Sequence, residues 1–364
     1  MRLVNDPEQP APLIAGLEVA GAALFWVVTD PPDAADAVQV SLTDPARADW
    51  LWRVVGADGH LAILSAAAGT TDLPDVAIVP GSLAALRRLA IGHWLRRWWP
   101  ASRRDGIPGL DAALLDVEVA LLTAAAQAFF SDDTLDSDAA ALLAPHAAAL
   151  TAHLGTSDRR VRELVRASAE LADEIGVDGS GWPELSAALD NSANAPAVPS
   201  GRQDDYALAA GSDAAPGTAA IGRGVASINW AAVPPGIFDA AEDTVEWRVA
   251  VSGPTVIAVV RAAVIGPHPA TDIAVRVQSG DVAGTAALDA RGGAVVALVD
   301  AQGRALLESD AWNHDWPPTS VVVGAGVSEA REIRDQIRQW VRTRLDQPPQ
   351  DAFLAEILAA ESTY

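Results

Sequence analysis

Three groups of residues have the types and spacing to do chemistry. The run Asp310-Ala311-Trp312-Asn313-His314-Asp315-Trp316 places an imidazole between two carboxylates. Asp310, His314 and Asp315 could move a proton or hold a hard cation, although their spacing matches no known ligand motif. Trp312 and Trp316 in the same run could serve as a carbohydrate or peptide contact, or plug a core. The second group is arginine-rich: Arg87, Arg88, Arg96, Arg97, Arg103 and Arg104, interleaved with His93, Trp94, Trp98 and Trp99. Arginine with tryptophan is the composition of protein-interface hot spots and of stacked nucleic-acid contacts. Pairing with nearby acids such as Asp116 and Glu118 would explain the same arginines without any partner. The third group is Val321-Val322-Val323-Gly324-Ala325-Gly326-Val327-Ser328-Glu329, a strand, a Gly-x-Gly and a helix start. A dinucleotide site would want a third glycine where Glu329 stands, and a carboxylate there repels a pyrophosphate. A tight turn into a capped helix accounts for the run.

Other chemistries are excluded by composition. All 25 basic residues are arginine, so there is no Walker-type lysine and no Schiff-base lysine. With no cysteine, thiol nucleophiles, disulfides and cysteine-ligated metals are absent. No Gly-x-Ser-x-Gly elbow announces a serine nucleophile. His146 and His153 are two helical turns apart, too far for the i,i+4 spacing of a metal pair, and His60 and His268 fall in expected loops. The paired acids Glu242-Asp243 and Asp132-Asp133 have no catalytic companion. No cofactor and no metal are therefore expected.

The formal net charge is −23 over 364 residues, which disfavours binding to nucleic acid, because phosphates must be neutralised by basic side chains. Residues 1–80 hold 11 acids and 3 arginines, residues 81–130 hold 6 arginines and 4 acids, and residues 131–222 hold 15 acids and 5 arginines. The one basic stretch thus lies between two acidic ones. Leu13 to Val28 is apolar but contains Glu18 and is shorter than the ~20 residues of a spanning helix. No signal sequence is read at the start, so a cytoplasmic protein with no membrane partner is expected. The alanine-rich, lysine-free composition resembles that of actinobacterial genomes.

These groups need elements to position them. Ala20 to Val28 reads as a buried strand. Trp50 to Val55 and His60 to Leu64 read as a hairpin across Gly56-Ala57-Asp58-Gly59. From Ser82 as cap, Leu83, Leu86, Ala90, Trp94 and Trp98 recur at helical spacing up to Pro100. Asp111 caps a helix reaching about Phe130. Asp138 to Leu154 is a helix interrupted at Pro145, and Ser157 to Ile175 is a helix closed by Gly176. A short helix over Pro183 to Leu189 completes a bundle.

Residues 191–222 read as a linker of Ala, Pro, Ser, Gly and Asp, with Tyr206 and Leu208 its only anchors. Beyond it, a turn of helix is expected at Phe238 to Asp243. Strands follow at 245–251, 256–264, 273–277, 286–288, 295–298, 305–307 and 319–323. Seven short strands without intervening helices predict an antiparallel sandwich. Ser328 caps a helix carrying Ile333, Ile337, Trp340, Val341 and Leu345, and a last short helix follows Pro348-Pro349. The expected fold class is α+β and multidomain: a small mixed α/β or β region at 1–80, a helical bundle at 81–190, the linker, an antiparallel β-sandwich at 223–327 and C-terminal helices at 328–364.

The segments Trp94 to Ser102 (WLRRWWPAS), Val233-Pro234-Pro235-Gly236 and Asp239-Ala240-Ala241-Glu242-Asp243 resemble an uncharacterised actinobacterial protein family with no assigned activity. The resemblance spans both domains and carries over no catalytic positions. Proteins of that kind are similar to accessory members of multi-gene regulatory or defence cassettes, which implies a protein partner. The expected function is a non-enzymatic adaptor or regulatory subunit, contacting its partner through the β domain and through Arg88, Trp94, Arg96, Trp98 and Trp99. Two alternatives stay open: an enzyme of unrecognised class with its chemistry at Asp310, His314 and Asp315 or between domains, and a small-ligand or carbohydrate module using the 310–316 loop.

Overall fold

A computed structural model describes residues 2–3, 13–65, 71–72, 76–127, 130, 136–156, 158–179, 181–192, 220–327 and 329–362. The chain begins with strands β1 (Arg2–Leu3), β2 (Ile14–Val19), β3 (Ala22–Val27) and β4 (Gln39–Leu42), helix α1 (Trp52–Ser65) and strand β5 (Thr71–Asp72). Helices α2 (Ala84–Trp98), α3 (Ala112–Ala126), α4 (Asp136–Leu143), α5 (Ala147–His153), α6 (Arg159–Glu174) and α7 (Gly181–Ser192) come next. The central strands are β6 (Gly222–Ala226), β7 (Val245–Ser252), β8 (Thr255–Ala262), β9 (Ala274–Ser279), β10 (Val282–Ala287) and β11 (Gly293–Ala297). Helix α8 (Glu308–Asn313), strand β12 (Ser320–Val323), and helices α9 (Arg331–Asp346) and α10 (Leu354–Ser362) complete the chain. A helical N-terminal region, a central β-sheet region and C-terminal helices are thus all present.

Two compact units divide the chain: residues 1–96, 110–201 and 336–364 form one, and residues 97–109 and 202–335 the other. The expected linker lies for the most part in residues 193–219, which with Tyr206 and Leu208, Asp132-Asp133 and the caps Ser157 and Ser328 are outside the described residues.

In the first unit a five-stranded sheet runs β2-β3-β4-β1-β5, antiparallel except where β1 lies parallel to β4. Its buried side chains include Leu24, Trp26 and Val40. Trp26 donates its indole N–H to the Ala35 carbonyl at 2.8 Å, so a large ring is buried without an orphaned donor. The hairpin expected over Trp50 to Leu64 is absent. Trp50 and Leu51 belong to a 3-10 turn and the rest is α1. The two glycines that suggested a turn act differently. Gly56, at φ +71°, kinks the helix, and a side chain at Gly59 would collide with Val55 and Val76. Glycine spacing alone could not separate a turn from a kink and a close packing contact.

The helices around them follow the apolar pattern. α2 buries Leu86, Leu89, Ala90, Ile91, Trp94 and Leu95, and Asp111 caps α3 by accepting from the Leu114 N–H at 3.0 Å. α3 ends at Ala126, short of Phe130, and Pro145 separates α4 from α5 outright. Asp158 caps α6, which buries Val161, Val165, Ala169 and Ala172. α10 packs on α3, and Trp340 meets Trp94 edge to face at 5.1 Å.

The second unit holds two antiparallel sheets, one of three strands in the order β10-β9-β12 and one of four in the order β11-β8-β7-β6. Strict alternation builds them: Val245, Trp247 and Val249 of β7 are buried while Glu246 and Arg248 are exposed. Gly253 at φ +60° permits the two-residue turn between β7 and β8. Of the expected antiparallel sandwich the two antiparallel sheets are present, and neither forms a closed sandwich or barrel. Ala305 to Leu307, counted as a strand, contributes only a single bridge between Val299 and Ala305. The turn of helix expected at Phe238 to Asp243 is also absent. Phe238 bridges to Val264, and the Asp239 side chain accepts from the Ala241 N–H at 3.0 Å, an Asx turn that competes with helix.

Candidate functional site

The arginine–tryptophan segment divides into two environments. Within the first unit, Arg88 pairs with Glu118, and its guanidinium also donates to the carbonyls of Asp351 at 3.2 Å and Ala352 at 3.3 Å. It stacks on the Phe353 ring with its central carbon 4.8 Å from the centroid. Arg96 forks onto Asp116 at 2.5 and 3.5 Å, and His146 reaches the same carboxylate at 2.8 Å. Arg87 is buried, where desolvation lowers its pKa against the pull of Asp351 at 3.1 Å. Trp94 is buried in the same unit, and Trp98, the first tryptophan of the second, is buried there. Side chains that could have reached outward are committed inside the unit.

The same packing explains the histidines. Asp111 and Asp116 on α3 meet His153 and His146 at the two ends of α5, each pair at 2.8 Å. Burial pushes both carboxylates up, but hydrogen bonds from the imidazoles (and from Arg96 at Asp116) more than offset this, so both titrate below the usual range. The Asp111 hydrogen bond raises His153, whereas desolvation lowers the unclipped His93. Sequence reasoning missed these clips because it compared the histidines with each other along one helix. The five-residue spacing of the aspartates on the facing helix was the available signal.

Within the second unit, the segments that suggested a family resemblance lie against each other. Arg97 donates to the carbonyls of Trp230 and Ala231 at 3.0 and 3.3 Å, and the Ala240 N–H donates to the Ala101 carbonyl at 3.0 Å. The buried Asp239 carboxylate accepts from the N–H groups of Arg103 and Arg104 at 3.0 and 3.3 Å. Trp99 donates its indole N–H to the Pro108 carbonyl at 2.8 Å. Between these segments remains a hollow of about 30 Å³ lined by Arg97, Trp98, Trp99, Trp230, Pro234 and Phe238, with room for a water or two. This is a packed seam rather than a substrate chamber. A more open groove of about 580 Å³ in the first unit lies between α3 and α6, with Glu170 and Glu174 its titratable lining.

Glu329, the residue that spoiled the dinucleotide motif, accepts from the backbone N–H groups of Trp230 and Ala231 at 2.9 and 2.8 Å. Its carboxylate therefore occupies the start of the 3-10 turn over Trp230–Ala232, the electrostatic place of an anion.

In the 310–316 run, His314 shares a 2.8 Å hydrogen bond with the Ser279 hydroxyl and lies edge to face with Trp316 at 4.5 Å. Asp310 and Asp315 are exposed, and neither carboxylate is hydrogen-bonded to His314. Trp316 is buried and donates to the Ala311 carbonyl at 2.9 Å, while Trp312 is 54% exposed, so only one of the two rings faces solvent. Among the described residues no group of three His, Cys, Asp or Glu is placed to hold a metal.

Comparison with family models, curated proteins and solved structures finds no match to this chain. Among the described residues no helix is long and apolar enough to cross a membrane.

Proposed function

We propose that this chain is a non-enzymatic adaptor or regulatory subunit that binds another protein, within a multi-gene regulatory or defence system in the cytoplasm. The β region is the partner-facing part. One observation carries this reading: Val225, Val295, Leu307 and Trp312, all of the second unit, are each between 54 and 63% exposed. The first unit exposes Trp52, Leu61, Leu64 and Val79 too, and what supports the second unit is that Val225 and Val295 share one face of the four-stranded sheet. Arg88 and Arg96, also expected to reach a partner, are held by Glu118 and Asp116 with part of each side chain exposed. The soft resemblance to accessory proteins points in the same direction.

The test is co-purification from the source organism, followed by size-exclusion chromatography with light scattering. Cross-linking should use a carboxylate-reactive reagent, because the chain offers no lysine amine. The reading predicts a stoichiometric complex that Val295→Asp or Trp312→Ala weakens and that a surface change far from the β region leaves intact. A chain that elutes alone under all conditions, or that turns over a metabolite, would overturn it.

A further inference from the structure

The outer face of the four-stranded sheet carries charge of the opposite sign to the rest of the molecule. Register fixes which side chains are neighbours there. Arg223 of β6 lies opposite Arg248 of β7, Arg248 opposite Val259 of β8, and Val259 opposite Val295 of β11. In the next row, Val225 lies opposite Glu246, and Glu246 opposite Arg261. Arg223, Arg248, Arg261, Val225 and Val295 are all exposed. These two rows thus hold three guanidinium groups and the single carboxylate of Glu246, with Asp289 acting on Arg261 from beyond them, in a chain of net charge −23.

Two features make this arrangement unusual. Directly opposed residues on one face have Cβ atoms about 5 Å apart, so the Arg223–Arg248 pair is repulsive in the free protein. In addition, no ion pair joins Arg223 or Arg248 to a described carboxylate, whereas Arg261 is drawn electrostatically toward Asp289. Buried arginines are matched to acids, as at Arg87, Arg334 and Arg344. Aliphatic side chains fill the spaces between the guanidiniums.

We infer that this sheet face is a docking site for an acidic, aliphatic segment of a partner protein. The inference rests on the partner-binding reading above and supplies its surface and chemistry. Carboxylates of the partner take the guanidinium forks in paired hydrogen bonds, relieving the Arg223–Arg248 repulsion on binding. Val225, Val259 and Val295 provide the apolar area. Arginine among apolar residues is the make-up of an interface core. The face has no aromatic ring on which bases could stack, because Trp247 points inward and is buried, and the overall charge repels a polyphosphate.

Fluorescence anisotropy on the full chain tests this with two labelled peptides of equal length. One alternates glutamate with valine, and the other has glutamine in place of glutamate. The expected result is binding of the glutamate peptide at least about tenfold tighter than of the glutamine peptide. Arg223→Glu with Arg248→Glu should remove it by about tenfold or more, and the milder Arg223→Gln with Arg248→Gln should lower it with an unchanged melting curve. Equal binding of the two peptides, full retention by the double variant, or preferential binding of a thymidine oligonucleotide would overturn the inference. A native partner that the Arg223→Glu, Arg248→Glu variant still holds would overturn this surface while leaving the adaptor reading intact. Tight capture of the glutamate peptide by a chain that forms no complex in its own cell extract would do the reverse.

Discussion

Arg344 of α9 and Glu356 of α10 meet in a two-bond fork, Nε to Oε1 at 2.7 Å and the terminal nitrogen to Oε2 at 2.8 Å, with both side chains buried. Glu356 also accepts from the Phe353 N–H at 2.9 Å, and Arg344 reaches Asp351 at 3.4 Å. Desolvation alone would lower the Arg344 pKa, and the Glu356 hydrogen bond overrides it upward. Asp351 in turn holds Arg87, so the 351–356 segment is fastened to α2 through alternating charges.

Breaking that fork from one side should be costly. Glu356→Ala leaves the buried guanidinium with only its longer contact to Asp351 and orphans the Phe353 N–H, a loss approaching the ~3–5 kcal/mol of an unpaired buried charge. Arg344→Met with Glu356→Leu removes both charges and should recover most of that loss. Urea denaturation of the three proteins checks it, and equal midpoints for wild type and Glu356→Ala would show that the fork contributes nothing.

The His153–Asp111 clip makes a pH prediction. Because the folded His153 pKa lies above its ordinary value, the clip's contribution is complete below about pH 6.5 and fades as pH rises through the raised value. The lowered Asp111 pKa works at the other end, with stability present above about pH 4 and lost as pH falls. Asp111→Asn keeps a capping oxygen for the Leu114 N–H but removes the charge. NMR titration of His153 should show its pKa fall back toward the ordinary value in that variant, with helix α3 retained.

Asp239 satisfies three backbone donors: the N–H groups of Arg103, Arg104 and Ala241. Asp239→Ala orphans all three, the Ala241 N–H in a buried position at about 1–3 kcal/mol for a group left unsatisfied and the other two where they are partly buried. Hydrogen exchange should then accelerate at residues 103, 104 and 241 before it does in β7 and β8. Unchanged exchange at those amides would remove Asp239 from the seam.

The two tryptophans of the 310–316 run should separate in a stability assay. Trp316→Ala empties a buried site and should cost about 3–5 kcal/mol, whereas Trp312→Ala should lie within about 0.5 kcal/mol of wild type. Thermal melts measure both. A large loss at Trp312 would mean that the exposed ring is structural rather than available for contact.

Legibility followed the strength of the apolar period. The alternation Val245, Trp247, Val249 announced β7, the Asp111 cap placed the start of α3, and the Ser157-Asp158 start lay beside the Asp158 that caps α6. The 50–65 stretch was misread because its aromatic and β-branched residues favour strand and glycine serves turns, kinks and close contacts alike. At Phe238 to Asp243 the deciding partners, Arg103 and Arg104, lie more than a hundred residues away, beyond any local window. Acids capable of pairing with Arg88 and Arg96 could be named from sequence. That Arg223 and Arg248 stand side by side could not, because strand register between β6 and β7 is a property of the folded sheet.

The fastening of residues 351–356 to α2 also sets an order of events during synthesis. Arg87 leaves the ribosome 264 residues before the Asp351 that will pair with it. At ordinary elongation rates of about 5–20 residues per second, that is a delay on the order of ten seconds to a minute. The whole 202–335 stretch, with its two sheets, is translated in that interval. The second unit can therefore complete its fold while the first still waits for its closing segment, with Arg87 and Arg88 lacking their downstream partners. A nascent chain stalled before residue 351 should present those arginines and their apolar surroundings to chaperones, and the finished chain should not.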